Sequence, residues 1–312
     1  MSRADDVSAA DDHNDRALRL FARGRFREAR EHLDEAVRLY REAPSAGVPT
    51  EFALAGALHN RAKCLTELGI RDDARRDARD AVAIMRKCAR IDRESTEPFL
   101  ARALSQVAVL LLLDVRPRMA AKAAREAVAI SRRVAEASDA RAPDARSAAA
   151  HDRETPDRIT LAMALNNLSL CLWHLGRHEQ RLAAIEEAVS IYESAARDHK
   201  AWEPLLAEGL DNLGVARQAV GRGPEALDAA RRSVALYKSM SASHTPDLTG
   251  ALFNLSNHLD LAGRRDEAAQ RMRQVVQAYR ELAAREPARY GPDLERAERA
   301  LDDLRNGCSP LR

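Results

Sequence analysis

The chain has 312 residues, and 50 Lys+Arg against 48 Asp+Glu leave a net charge of +2. A near-neutral chain is poorly suited to electrostatic capture of nucleic acid, so no specific nucleic-acid partner is expected. With 46% apolar, 31% charged and only 4% aromatic residues, and 13 Gly and 12 Pro, it is a folded chain with little material for a many-turned β-fold. Ala, Leu and Val supply the apolar mass, which favours closely packed helices. The longest unbroken apolar run, Val107 to Leu113, is too short to span a bilayer, and no membrane partner is expected. Met1 to Asp15 is acidic and lacks a basic-then-apolar leader pattern, so a cytoplasmic location is expected. The preference for Arg over Lys is that of a GC-rich bacterial genome. Four scattered cysteines do not form a disulfide framework.

In chain order, residues 1–12 are expected to be a flexible start. A repeat then begins. Ala36-Val-Arg-Leu-Tyr40 recurs as Ala81 to Met85, Ala127 to Ser131, Ala188 to Tyr192, Ser233 to Tyr237 and Val275 to Tyr279, at steps of 45, 46, 61, 45 and 42 residues. Twelve residues before each copy stands Gly24, Gly69, Val115, Gly176, Gly221 or Gly263, and nine residues earlier Asp15, Asn60, Gln106, Asn167, Asn212 or Asn254. Each copy predicts two amphipathic helices joined at the glycine, which supplies a left-handed backbone. The hairpins fall at about 13–43, 49–92, 97–138, 156–198, 202–240 and 246–285, most first helices starting just after a proline: Pro49, Pro98, Pro156, Pro204, Pro246 and Pro292. The long step places a mobile insertion at 139–153. A last helix at 292–305, with Leu294, Leu301 and Leu304 on one face, is expected to cap the stack before a tail at 306–312. The fold class is all-α, an α-solenoid superhelix of six helical hairpins plus a C-terminal capping helix.

Leu165-Asn-Asn-Leu-Ser169 with Gly176-Arg177, Leu210-Asp-Asn-Leu-Gly214 with Gly221-Arg222, and Leu252-Phe-Asn-Leu-Ser256 with Gly263-Arg264 resemble the tetratricopeptide-repeat family. The long period is similar to the kinesin-light-chain form and to actinobacterial arrays, and the resemblance spans 13–305. It implies that the first helices line a concave groove that holds a protein or extended peptide segment. The candidate groove residues are Asn60, Lys63, Arg102, Gln106, Asn166, Asn167, Leu170, Trp173, His174, Asp211, Asn212, Asn254 and Asn257. The recurrent Asn has two readings: its amide meets a peptide backbone, or it bonds to the adjacent helix and fixes repeat packing. Trp173 is an apolar anchor or an inter-repeat contact. The groove charge is mixed.

Catalytic signals are thin. His174 and His178 straddle a turn, and Cys64, Cys88 and Cys171 fall on packing rows, while Cys308 lies in the tail. With no phosphate loop, metal motif or cofactor motif, the expectation is a non-catalytic scaffold or adaptor needing no cofactor. The alternatives are a peptide-sensing regulator, or an accessory or enzyme acting on a peptide held in the groove. Self-association stays open.

Overall fold

The structure, a computed structural model, describes residues 3–43, 48–141, 148–240 and 245–306. Among these residues the chain forms α1 (Arg3–Phe21), α2 (Phe26–Glu42), α3 (Val48–Glu67), α4 (Arg71–Cys88), α5 (Arg93–Leu113), α6 (Pro117–Arg141), α7 (Ala148–Trp173), α8 (His178–Asp198), α9 (Glu203–Ala219), α10 (Gly223–Ser239), α11 (Thr245–Leu261), α12 (Arg265–Arg285) and α13 (Pro287–Arg305), with one 3-10 turn at Lys200–Trp202 and no strand. Two compact units result, Met1–Gly176 with α1 to α7 and Arg177–Arg312 with α8 to α13. Each is an α-solenoid. Helices pack on their sequence neighbours, and the first helices also touch one another: α1 on α3, α3 on α5 and α5 on α7 in one unit, α9 on α11 in the other.

The turns follow from one backbone requirement. Gly24, Gly69, Gly176, Gly221 and Gly263 adopt φ between +66° and +82°. In four of these turns the residue after the glycine closes a bond back to the end of the preceding helix, as in Arg25 N–H to Leu20 O (3.0 Å) and Arg264 N–H to Leu259 O (2.9 Å). Three of these turns add a staple, in which the arginine after the glycine pairs with a glutamate three residues on: Arg25 with Glu28, Arg222 with Glu225 and Arg264 with Glu267. The third turn keeps the geometry without the glycine. Val115 sits at φ +56° and is 84% exposed, while Arg116 N–H still reaches Leu111 O at 2.9 Å. A β-branched residue there costs about 1–2 kcal/mol in backbone strain and loses nothing in packing when removed. Part of that gain is offset by the greater unfolded-state freedom of glycine. Val115→Gly is therefore expected to stabilise by roughly 1 kcal/mol and raise the melting midpoint by about 2–4 °C; calorimetry that finds no rise would show that the strain is absorbed elsewhere.

Small side chains let the helices approach closely. Ala29, Ala36, Ala74, Ala81, Ala226 and Ala268 are fully buried. Gly214 brings α9 so near α10 that a Cβ at that position would stand 3.1 Å from the Ala226 carbonyl oxygen. Side-chain donors bridge the same rows: Cys64 Sγ donates to Phe26 O (2.9 Å), and Ser256 Oγ to Ala268 O (2.8 Å). α5 is long and apolar enough to cross a membrane by composition, with mean hydropathy 1.4, yet its Leu110 and Leu111 pack in the first unit's core against Ala74, Ala78, Ala120 and Ala124. Exposed ion pairs tie successive second helices together: Arg41 to Asp80 (3.9 Å), Arg86 to Glu126 (2.8 Å) and, in the second unit, Arg232 to Glu193 (2.5 Å).

Several boundaries differ from the expected ones. From Arg3 onward the start is helical rather than flexible, because Ala10 is buried against Val37 and Tyr40, and the Tyr40 hydroxyl donates to Asp11. α5 begins at Arg93, where the Asp92 carboxylate accepts the Ser95 N–H at 3.1 Å, so Pro98 lies inside the helix, as do Pro156 and Pro292. A proline in the early turns removes one backbone hydrogen bond without ending a helix that is capped further upstream. Of the expected insertion at 139–153, residues 139–141 extend α6 and 148–153 belong to α7, while 142–147 lie outside the described residues. Ser138 Oγ donates to Asp157 (2.6 Å), and Arg158 pairs with Asp139 (2.7 Å), fastening the two helices near that junction. The capping helix starts at Pro287, so that Tyr290 joins Leu301 and Leu304 in the core formed with Leu255, Leu259, Met272 and Tyr279. The tail beyond Asn306, with Cys308, lies outside the described residues.

Candidate functional site

Three of the recurrent amides bridge neighbouring first helices. Asn60 Nδ2 donates to Asn14 Oδ1 across α3 and α1 (3.0 Å), Gln106 Nε2 to Thr66 Oγ1 across α5 and α3 (3.1 Å), and, in the second unit, Asn254 Nδ2 to Asp211 Oδ2 across α11 and α9 (2.8 Å). In the first and last of these the acceptor stands one residue before the repeat position of the preceding helix. Asn14, rather than Asp15, is therefore the bridging residue of the first copy. Asn166, in that same preceding register, is 5% exposed, whereas Asn167 and Asn257 are half-buried and their amides bond to no described residue. The Asn212 carbonyl oxygen accepts from Arg181 at 3.4 Å.

In the first unit, α3 and α5 gather a cationic cluster. Lys63 Nζ lies 5.2 Å over the Phe21 ring, and the Arg102 guanidinium lies 4.4 Å over the Phe99 ring, which packs edge-on against Phe52. Among the described residues neither cation is in an ion pair. Burial, then Arg102, holds the Lys63 ammonium below its ordinary range against the opposing pull of Glu67, and burial lowers Arg102. Both cations act on His59, whose Nδ1 is buried without a partner; burial, then Lys63 and Arg102, pushes its pKa down to about 3, so the ring is neutral. His59 was missed in the sequence reading, although it holds the register of Asn14 and Asp211, one residue ahead of the repeat amide. The remaining candidates do not join this cluster. Leu170 is half-buried on α7, Trp173 is 43% exposed at its end, and His174 is exposed just beyond.

In the second unit, α9 and α11 bury a polar pair. Asp211 Oδ1 is sealed from solvent with no partner; burial raises its pKa to about 6, against the lowering pull of the Asn254 amide, with Glu208 adding a smaller push upward. His258 is 5% exposed with both ring nitrogens unpartnered, and burial takes it down to about 4. Its Nε2 fills the space that the missing Cβ of Gly214 leaves, 3.3 Å from where that atom would stand. Neither group has the nucleophile or metal partners that catalysis needs. Among the described residues no three His, Cys, Asp or Glu side chains could hold a metal together. The thiols of Cys64 and Cys171 are pushed up to about 11 by burial, which leaves them inert.

Comparison with known proteins fits this architecture. No curated protein matches the chain in sequence. Its fold is similar to the crystal structure of BtubC (BKLC) from P. vanneervenii, at 17% identity over 90% of this chain and 92% of that one with a TM-score of 0.57. It is also similar to the apo form of RapI, at 13% identity over 93% and 98% with a TM-score of 0.58. A third likeness is to a Rap protein complexed with competence and sporulation factor, at 15% identity over 94% and 75% with a TM-score of 0.52. The family model described as tetratricopeptide repeat matches residues 14–43 and 161–199. With those matches, the hairpin repeat and its left-handed turns mark the chain as an α-solenoid that carries tetratricopeptide repeats at 14–43 and 161–199.

Proposed function

We propose that the chain is a non-catalytic protein-interaction scaffold that holds an extended segment of a partner along its first helices. The observation that carries this reading is the cluster on α3 and α5: two cations seated on aromatic faces, with no carboxylate among the described residues paired to either. An acidic side chain of the partner would supply the missing counter-charge, while Phe21 and Phe99 offer apolar contact beside it. The amides of Asn60, Gln106 and Asn254 already donate across the helices. Their part is to keep the row rigid, and Asn167 and Asn257 are the amides left to meet a ligand. A short signalling peptide is the second reading, favoured by these two open amides and by the complex of the similarly folded Rap protein with competence and sporulation factor.

The test is retention of partners from a host lysate by the wild-type chain and by Lys63→Met/Arg102→Met. Each charge-assisted contact is worth about 1.5–3 kcal/mol, so the double variant is expected to lose a retained partner by tenfold or more while its circular dichroism and melting stay unchanged. Equal retention by both chains would place the binding surface elsewhere.

A further inference from the structure

Away from the row of first-helix amides, the first hairpin pairs two histidines. His13 on α1 and His32 on α2, both half-buried, direct their Nδ1 atoms at each other across 2.9 Å, with ring centroids 5.1 Å apart and planes tilted by 45°. As neutral imidazoles, one Nδ1–H donates and the other Nδ1 accepts. Around His32, burial and then Arg16 and His13 outweigh the field of Glu31 and Glu28, which would favour a cation, while Glu35 acts on His13. Glu28 and Glu35 are already paired with Arg25 and Arg38, which moderates that field.

The spacing itself is informative. Two metal–nitrogen bonds of about 2.0–2.1 Å meeting at a right angle set their nitrogens about 2.9 Å apart, whereas the tetrahedral angle sets them about 3.3 Å apart. Right-angled nitrogen ligation belongs to square-planar or octahedral copper(II) and nickel(II), and tetrahedral ligation to zinc. We propose that His13 Nδ1 and His32 Nδ1 form a two-point binding site for a divalent transition-metal ion of right-angled coordination, of the nickel(II) or copper(II) kind, with water filling the remaining positions. On binding, the hydrogen on the donor Nδ1 leaves and the same ring takes one up at Nε2, so both rings stay neutral and no net proton is released. The ion would clip α1 to α2 and fix the entry of the array.

The experiment uses the untagged full chain titrated with nickel chloride, followed by calorimetry and by the imidazole NMR signals. The expected result is one equivalent bound, with the signals of His13 and His32 broadened first among the nine histidines. Affinity should fall about tenfold or more in both His13→Gln and His32→Gln, and zinc should bind more weakly than nickel. No uptake by the wild-type chain at about millimolar nickel, unchanged affinity in either variant, or broadening that starts at other histidines would each overturn the proposal. The broadening pattern is read on the wild-type chain, so the test stands even if a variant folds poorly.

Discussion

Replacing Asp211 with asparagine is expected to stabilise the second unit by roughly 1–3 kcal/mol at pH 7.5 and to gain almost nothing near pH 4. The folded carboxyl titrates at about 6 against an ordinary 3.8. Folding is therefore favoured by this group only while it is protonated: its contribution is complete below about 3.8 and is lost as pH rises through 6. Above that point the buried charge costs about 3 kcal/mol, which asparagine avoids while its carbonyl still accepts the Asn254 amide. Leaving the new NH2 group unpartnered reclaims part of the gain. Urea midpoints at the two pH values decide the matter. An equal gain at both, or a loss at pH 7.5, would mean that the carboxylate is solvated or paired in solution.

His258 carries the opposite sign. Its folded pKa of about 4 lies below the ordinary 6.5, so the unfolded chain binds more protons between those values, and stability falls as pH drops from 6.5 to 4, by about 3 kcal/mol in all. His258→Leu should hold its stability at pH 7, because the ring satisfies no hydrogen bond there and the matching position of α5 is the buried Leu110. At pH 4 it should exceed the wild type by about that 3 kcal/mol. The two groups lie at the interface of the same two helices with opposing slopes, so the wild-type profile is expected to be nearly flat between pH 4 and 6. Asp211→Asn should then expose a stability that climbs with pH, and His258→Leu one that declines. Parallel profiles for the two variants would refute both assignments.

The period, the hairpins and their turns were legible in the sequence because a solenoid repeats one local solution, and five of the six copies show the turn glycine beside their small packing residues. Helix starts were less legible. Proline marks a boundary in the sequence pattern, but Asp92 caps α5 upstream of Pro98, and the burial of Tyr290 pulls α13 back to Pro287. Within the candidate site the amide ladder could be seen, but its partners could not: Asn14 and Asp211 sit one residue ahead of the repeat register, and only the crossing of neighbouring helices brings them to the amide. The same offset hid His59. Nothing in a single sequence separates a buried histidine from an exposed one, and His258 becomes visible only beside the space left at Gly214.

The ion pairs between successive second helices bear on how such a chain can be lengthened or rearranged. Arg41 and Arg86 stand five residues after the first position of the repeated segment, and their partners Asp80 and Glu126 stand one residue before that position in the next copy. In the second unit Glu193 and Arg232 occupy the same two places with their signs exchanged. Each pair is exposed and worth little energetically, but like charges in facing places are unfavourable. A duplicated hairpin from the first unit brings a matching connector at both ends when it is inserted among its own kind. Moved in front of α10, it would set Arg86 against Arg232. Gene duplication can thus extend the first unit from within, while exchange between the units is penalised at the joint.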